Sequence, residues 1–181
     1  AGFYYANTGI ECLDELIINE DPVMAENSDS LINILSRLPL IHQPGERYHY
    51  GLSTTVLGLV AERATGLTLD QLVSQRITEP LGFSGMRFKL EKGDKLIPPM
   101  TYKNEYFRIP KEGEMDILGK NVPKYDKEQK LYFGGEGLVS TSEAYAKYLE
   151  IWMNDGILND YRFLDERTID QMLTSVRKKS G

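Results

Sequence analysis

The sequence predicts an α+β fold in which helices dominate and a small antiparallel sheet or hairpin is added. In several segments the apolar residues recur at three- and four-residue intervals, which is the pattern of an amphipathic helix. Between residues 86 and 133 this pattern gives way to short aromatic runs separated by polar loops, which is typical of short strands. The chain has 181 residues, 41% of them apolar, so it is long enough to bury a core of its own.

The first half of the chain carries the clearest helical patterns. Its opening favours loops, with one short helix near Glu11–Ile18. A sharper pattern begins at Ser28 and stops before Pro39, because proline disfavours helix in the residue that precedes it. Ser53 can N-cap the next helix, and Gly66 can end it in a left-handed conformation. We expect deep burial for the apolar residues of that helix, which are Val56, Leu57, Val60, Ala61 and Ala64.

Two capping boxes mark further helix starts. In such a box a Ser or Thr caps the helix, and a Glu or Gln three residues later returns a hydrogen bond. Thr68 with Gln71 opens a helix that we expect Pro80 to end. Ser140 with Glu143 opens another. The remaining predicted elements are a last helix after Asp165 and short strands near residues 102–109 and 131–133.

Charge and cysteine content exclude several classes of function. The net charge is −6 and the isoelectric point is about 5.1, which disfavours a nucleic-acid partner and an anionic membrane surface. The longest apolar stretch, Val56–Ala61, is far shorter than the roughly 20 residues of a membrane span. Cys12 is the only cysteine, so we expect no disulfide within the chain and no zinc site, and we interpret it as a small core residue.

Residues 43–62 form the most informative stretch. They begin Gln-Pro-Gly-Glu-Arg-Tyr-His-Tyr-Gly-Leu and continue into an apolar helix. This pattern resembles the tyrosine motif of the superfamily of serine β-lactamases, penicillin-binding proteins and esterases. The resemblance implies that Tyr50 is the motif tyrosine and that Tyr48 is the aromatic residue before it. Leu52 stands where penicillin-binding relatives have an asparagine, which favours ester or peptide substrates over penicillins, because leucine cannot hydrogen-bond a substrate amide.

A second block supports the same resemblance. It runs from Phe133-Gly-Gly-Glu-Gly-Leu through Asn154-Asp-Gly to Phe163-Leu-Asp-Glu-Arg, and it looks like the glycine turn and following helices of that superfamily, in the same order. The resemblance implies the central, mainly helical part of a β-lactamase-like transpeptidase fold, with residues 1–181 as a single partial domain. The substrate-cleft candidates are Tyr48, Leu52, Gly134, Gly135 and Gly137.

The resemblance also implies what the chain lacks. The sequence opens Ala1-Gly-Phe without an initiator Met, and we expect a piece of a longer protein. The nucleophilic Ser-x-x-Lys and the Lys-Thr-Gly-like motif of the family are missing from their usual places. Literal matches at Ser175–Lys178 and Lys179–Gly181 come after the tyrosine motif on a basic tail, and we reject them. We therefore expect this chain alone to be inactive, and its apolar helix faces to favour a homodimer.

A tyrosine can act as the base that activates a serine nucleophile. A serine hydroxyl is a poor nucleophile until a base takes its proton, and a phenol with a pKa of about 10 can serve when ammonium charge favours the phenoxide. The resemblance thus implies a serine hydrolase that forms an acyl-enzyme on an ester, D-amino-acid peptide or β-lactam bond, with Tyr50 as general base. The substrate would be a small molecule or peptide, and no metal or organic cofactor is needed.

Three alternatives remain open at this stage. The first is a non-catalytic pseudoenzyme, a peptide- or lipid-binding module of the same fold. The second is a dinucleotide site, because Gly135-x-Gly137-x-x-Ser140 approximates a glycine fingerprint, although serine replaces its third glycine. The third is base catalysis by histidine. Since no acidic residue stands at a telling spacing, we interpret His42 and His49 as solvated or substrate-rim residues.

Overall fold

The computed structural model describes residues 1–98, 100–103, 105–111 and 130–174. Over these residues helices alternate with short antiparallel ladders, which confirms the predicted α+β class. A 3₁₀ turn follows the first helix, and a π-helical turn separates the fourth from the fifth. The α-helices are α1 (Glu11–Glu20), α2 (Ser28–Arg37), α3 (Ser53–Thr65), α4 (Leu69–Val73), α5 (Glu79–Leu81), α6 (Ser142–Met153) and α7 (Glu166–Leu173).

Three two-stranded antiparallel ladders occur in the described part of the chain. One of them confirms the hairpin predicted near residues 102–109. The strand predicted at 131–133 is wrong: within the described residues this run is buried but is not assigned as a strand, and a short apolar run alone cannot distinguish a strand from a buried extended segment. The ladders pair β1 (Met86–Arg87) with β4 (Val139–Ser140), β2 (Thr101–Lys103) with β3 (Tyr106–Arg108), and β5 (Ile157–Leu158) with β6 (Tyr161–Arg162).

The chain divides into two compact units, each with its own core. Unit 1 comprises Ala1–Leu72 and Phe88–Gly137, and unit 2 comprises Val73–Arg87 and Leu138–Gly181. A single partial domain over residues 1–181 stays a prediction. The buried core of unit 1 consists of Tyr4, Tyr5, Ile17, Leu31, Leu35, Leu52, Leu59, Leu131 and Phe133, and that of unit 2 of Leu81, Phe83, Met86, Ala144, Ile151 and Leu158.

Helix α2 begins and ends as the sequence predicts. The Asn27 side chain accepts a hydrogen bond from the Ser30 amide at 3.0 Å, and the Ser30 hydroxyl oxygen accepts one from the Asn27 amide at 3.0 Å, which completes a capping box. The helix stops before Leu38, which precedes Pro39 and has extended backbone. Leu31 and Leu35 lie on its buried face.

Several predicted helix boundaries are shifted. Ser53 is the first residue of α3 rather than its cap, since Leu52 holds the cap position without a side-chain bond. Thr141 caps α6, because Ser140 belongs to β4. Pro80 does not end the third helical segment. It lies in the first turn of α5, a position that tolerates proline, directly after a π-helical turn.

The burial predicted for α3 is wrong for its larger side chains. Leu57 is 65% exposed and Val60 is 57% exposed. The helix instead buries Thr55, Gly58 and Leu59. These residues share one face at three- and four-residue spacing, and the two small ones let neighbouring backbone approach closely. Apolar surface of the kind expected to favour a homodimer is therefore present on α3, while the homodimer stays a prediction.

Candidate active site

Tyr50 is positioned by a close crossing of two backbone segments. A Cβ atom at Gly51 would lie 2.2 Å from the Phe3 carbonyl oxygen and 2.6 Å from the Tyr4 Cα atom, so a larger residue has no room there. The crossing places the chain before α3 against the N-terminal segment. As a result the Tyr50 ring lies beside the Tyr5 ring, with 5.6 Å between their centroids. This separation is typical of aromatic pairs in contact.

The three candidate side chains of the tyrosine motif lie in different surroundings. Tyr50 is 64% exposed and Tyr48 is 72% exposed. Leu52 is 1% exposed and belongs to the core of unit 1, so its side chain does not lie on a surface. Its burial fixes the chain directly before α3. Tyr50 thus stands on a firmly anchored segment while its ring faces solvent.

The glycine turn packs directly on the first turns of α3. A Cβ atom at Gly134 would lie 2.3 Å from the Thr54 carbonyl oxygen and 3.3 Å from the Gly58 Cα atom. In the reverse direction, a Cβ atom at Gly58 would lie 3.3 Å from the Gly134 Cα atom. Two glycines therefore meet where the turn crosses the helix, and their missing side chains permit this backbone-to-backbone contact.

The next glycine connects the turn to the aromatic pair. A Cβ atom at Gly135 would lie 3.0 Å from Thr54 Oγ1, 3.2 Å from Thr55 Oγ1 and 3.6 Å from the Tyr5 hydroxyl oxygen. The turn then leaves through Gly137, whose φ of +93° is a left-handed conformation that favours glycine. The structure thus brings Gly134 and Gly135 into one cluster with Tyr5, and through Tyr5 with Tyr50.

The segment before the turn is held by Tyr132. Its ring contacts Phe88, with 5.3 Å between centroids, and the Lys89 ammonium lies 5.5 Å from its centroid. Lys89 Nζ is also 3.8 Å from an Asp70 carboxylate oxygen, at the start of α4. Because Tyr132 is buried, these contacts fix the chain two residues ahead of Gly134.

Two residues of this cluster were missed in the sequence, Tyr5 and Glu136. The pKa of the Tyr5 hydroxyl is raised to about 12, first by burial and then by the charges of Glu136 and Tyr50. Burial also raises the pKa of the Glu136 carboxyl group. A charged residue set between glycines in a Gly-Gly-Glu-Gly run was the available signal for Glu136. No comparable pattern marked Tyr5.

The histidines are less exposed than the sequence suggests. His42 is only 7% exposed, so the expectation of a solvated residue is wrong for it. Its Nδ1 atom lies 2.8 Å from the Gln43 carbonyl oxygen, and its ring is 6.4 Å from that of His49. The Nε2 atoms of both histidines are buried without a hydrogen-bond partner. No carboxylate is recorded against either ring within the described residues, so the structure shows no catalytic triad there.

A separate apolar groove of about 580 Å³ lies between α2 and α3. None of its lining residues belongs to the predicted site. Arg63 and Ser36 supply its polar groups, and Arg63 is ion-paired with Asp29. The groove is lined by Phe3, Ile32, Leu35, Ser36, Val56, Leu59, Val60, Arg63 and Ala64.

Across the described ranges, no three or more His, Cys, Asp or Glu side chains are grouped so as to hold a metal ion. Within the same ranges, no helix has the length and hydropathy that crossing a membrane requires. The literal motifs at Ser175–Lys178 and Lys179–Gly181 lie outside the described residues.

The fold and the cluster around Tyr50 define a class of protein. A tyrosine directly ahead of a helix and a glycine turn later in the chain are what the resemblance to β-lactamase-like proteins led us to expect, and the structure adds that the turn packs on that helix. The sequence matches the Beta-lactamase family model over residues 4–180. The chain therefore belongs to the Beta-lactamase family.

Three relatives illustrate the range of the family. The ML-236A carboxylate methylbutanoyltransferase of Penicillium citrinum is 33% identical over 69% of this chain and 29% of that protein. The lovastatin esterase of Penicillium rubens is 30% identical over 71% of this chain and 32% of that protein. The chain spans about a third of the length of these two relatives. The structure of EstCE1, a hydrolase with promiscuous acyltransferase activity, shares the fold, with a TM-score of 0.73 and 20% identity over 95% of this chain and 47% of that one.

Proposed function

We propose that this chain carries the tyrosine base of a serine hydrolase or acyltransferase that works through an acyl-enzyme. The family contains esterases and acyltransferases, so acyl transfer is the chemistry that its relatives share. The substrate bond in the proposal is an ester, a D-amino-acid peptide bond or a β-lactam. Acyl transfer through serine needs neither a metal nor an organic cofactor.

In the proposed reaction Tyr50 first accepts a proton and then donates it. Its phenoxide takes the proton of a serine hydroxyl as the serine oxygen bonds to the substrate carbonyl carbon, and the phenol then returns the proton to the leaving group. Water or a second acceptor releases the acyl group by the same steps in reverse order. Because the phenol is a weak acid, a neighbouring ammonium group has to favour the phenoxide. We propose that this serine and lysine lie outside residues 1–181, so that the 181-residue chain alone is inactive.

One observation supports this role above the others. Tyr50 stands on a segment that the Gly51 crossing and the burial of Leu52 hold firmly, yet its ring is 64% exposed. A tyrosine that served only the core would be buried like Tyr4, which is 2% exposed. A fixed backbone with an accessible phenol meets the geometric need of a base that must reach a separate nucleophile.

The test compares the whole protein with its Tyr50→Phe variant. We expect Tyr50→Phe to lower kcat for p-nitrophenyl butyrate by about 10²-fold or more, since the general base is lost. A chromogenic cephalosporin assayed alongside identifies the preferred bond. Tyr145→Phe is the matched control, because it removes a hydroxyl from another exposed tyrosine, on α6 and outside the candidate site, and it should keep kcat within about threefold.

Two outcomes would contradict the proposal. If Tyr50→Phe is as fast as the wild-type protein, another group is the base. If the whole protein hydrolyses neither substrate, the non-catalytic binding module of the same fold becomes the better interpretation. Circular dichroism of the variants is needed to show that both fold as the wild-type protein does.

A further inference from the structure

The glycine turn places Glu136 beside the aromatic pair of the site. A Cβ atom at Gly135 would lie 3.0 Å from Thr54 Oγ1 and 3.6 Å from the Tyr5 hydroxyl oxygen, so the turn is seated on both. The Glu136 amide donates a hydrogen bond to the Phe133 carbonyl oxygen at 3.3 Å, which closes the turn. Within the described part of the chain, the position of Glu136 is therefore set by main-chain contacts and not by a bond to its carboxylate.

The Glu136 carboxylate is half-buried, and none of the ion pairs among the described residues includes it. Its charge is felt within the cluster, because after burial it is the largest cause of the raised pKa of the Tyr5 hydroxyl. Tyr5 in turn contacts the ring of Tyr50. The backbone of Glu136 thus directly follows the glycine that touches the Tyr5 hydroxyl, and the Tyr5 ring contacts the ring of the proposed base.

Such a carboxylate has a definite preference for what binds beside it. Partial burial weakens its solvation, and a cation that approaches it recovers part of that loss. A second negative charge at the same place is repelled, and water screens this repulsion less than it would at a fully exposed site. The main-chain contacts of the turn restrict the movement of Glu136 away from this place.

We propose that Glu136 is a specificity residue, which selects acyl donors that carry a positively charged amino group and disfavours donors that carry a carboxylate. The ammonium group of the donor donates a hydrogen bond to the Glu136 carboxylate while the scissile carbonyl lies near Tyr50. The proposal rests on the proposed function, because an acyl donor meets Glu136 only when it is bound beside that tyrosine.

Three p-nitrophenyl esters of equal chain length test the preference in the whole protein. They are the 6-aminohexanoate, the hexanoate and the adipate half-ester, which are cationic, neutral and anionic. We expect kcat/KM to fall in that order, by about fivefold at each step, as for a partly exposed ion pair. Glu136→Gln should bring the three values together, and Glu136→Asp should preserve their order. Glu15→Gln removes the same charge from an exposed position on α1 and should leave the ratios unchanged.

The outcomes separate this inference from the proposed function. Wild-type protein that hydrolyses the esters without preference, or a Glu136→Gln variant that keeps the full preference, overturns the inference and leaves the proposed function intact. Wild-type protein that hydrolyses none of them contradicts the proposed function. Binding then decides the role of Glu136: 6-aminohexanamide should raise Tm more than hexanamide does, and Glu136→Gln should abolish the difference. Equal shifts in Tm would overturn the inference.

Discussion

The two sides of α3 are packed in opposite ways. On one side Thr55 and Gly58 are buried, and the backbone of Gly134 approaches until no side chain fits between turn and helix. On the other side Val56 and Val60 line the open apolar groove, and Val60 is 57% exposed. The same helix thus presents a rigid backbone contact to the candidate site and an unfilled surface on its other side.

This difference shows that apolar content and tight packing are separate properties. The site side of α3 is built from Thr and Gly, which bury little apolar area but allow backbone to meet backbone. The groove side is built from Val and Leu, whose burial would contribute more if another group covered them. The tightly packed side of α3 therefore faces the candidate site, where the proposed function requires exact positioning, and the exposed apolar surface lies on the other side.

The largest effect is expected where the groove meets the core. Leu59 is 5% exposed and lines both, whereas its neighbour Val60 is 57% exposed. We expect Leu59→Ala to lower the free energy of unfolding by about 2–5 kcal/mol, as for a buried leucine, and Val60→Ala to change it by about 0.5 kcal/mol or less. Urea denaturation measures both. A large loss for Val60→Ala would mean that the groove is covered in solution.

A smaller effect is expected at the contact between turn and helix. The Cβ atom of Gly134→Ala would meet the Thr54 carbonyl oxygen at 2.3 Å, and backbone on both sides leaves no rotamer to relieve it. We expect this variant to lose about 1–3 kcal/mol of unfolding free energy. Gly135→Ala is the matched control, since its nearest neighbours are side-chain hydroxyls at 3.0 and 3.2 Å that can rotate. Equal losses for the two variants would show that the turn does not pack on α3 as described.

The smallest effect concerns the pH dependence of stability. Tyr5 has a pKa of about 12 in the folded protein, above its usual value, so folding favours its protonated form. Its contribution to stability is complete below pH 10 and is lost as the pH rises through 12. We therefore expect Tyr5→Phe to flatten the fall in stability between pH 9 and 11.5, by about 1 kcal/mol.

Thermal unfolding across that pH range measures the effect. Tyr145→Phe provides the control, because its ring is 54% exposed on α6, and it should follow the wild-type curve. The prediction is wrong if Tyr5→Phe and wild-type protein lose stability in parallel. That result would also contradict the conclusion that the charge of Glu136 raises the pKa of Tyr5.

Local signals in the sequence predicted most helix starts and ends but not what the helices bury. Asp165 caps α7 and Gly66 ends α3 as expected, because a cap depends on the few residues around it. The exposed face of α3 could not be predicted, since periodicity locates apolar residues without showing what covers them. The shift from Ser140 to Thr141 at α6 has a similar cause: β4 takes Ser140 into a ladder with distant Met86.

The sequence predicted the separate motifs of the candidate site but not the contacts between them. The sequence indicated Tyr50 and the glycines at 134 and 135, and the structure brings them together through Tyr5. Tyr5 was missed because its role depends on the Gly51 crossing, a contact between segments more than forty residues apart in the chain. Leu52 was expected at the cleft, but its 1% exposure places its side chain in the core.

The lone cysteine has a practical consequence for work on this protein. Cys12 was expected in the core, but it is exposed on α1, because Ile17 supplies the buried residue of that helix. With one thiol in residues 1–181, a maleimide dye attaches to this 181-residue chain at a single known place. For the same reason, any disulfide that links two copies of this chain must join α1 to α1. Oxidative cross-linking would therefore report whether two such helices meet when copies associate.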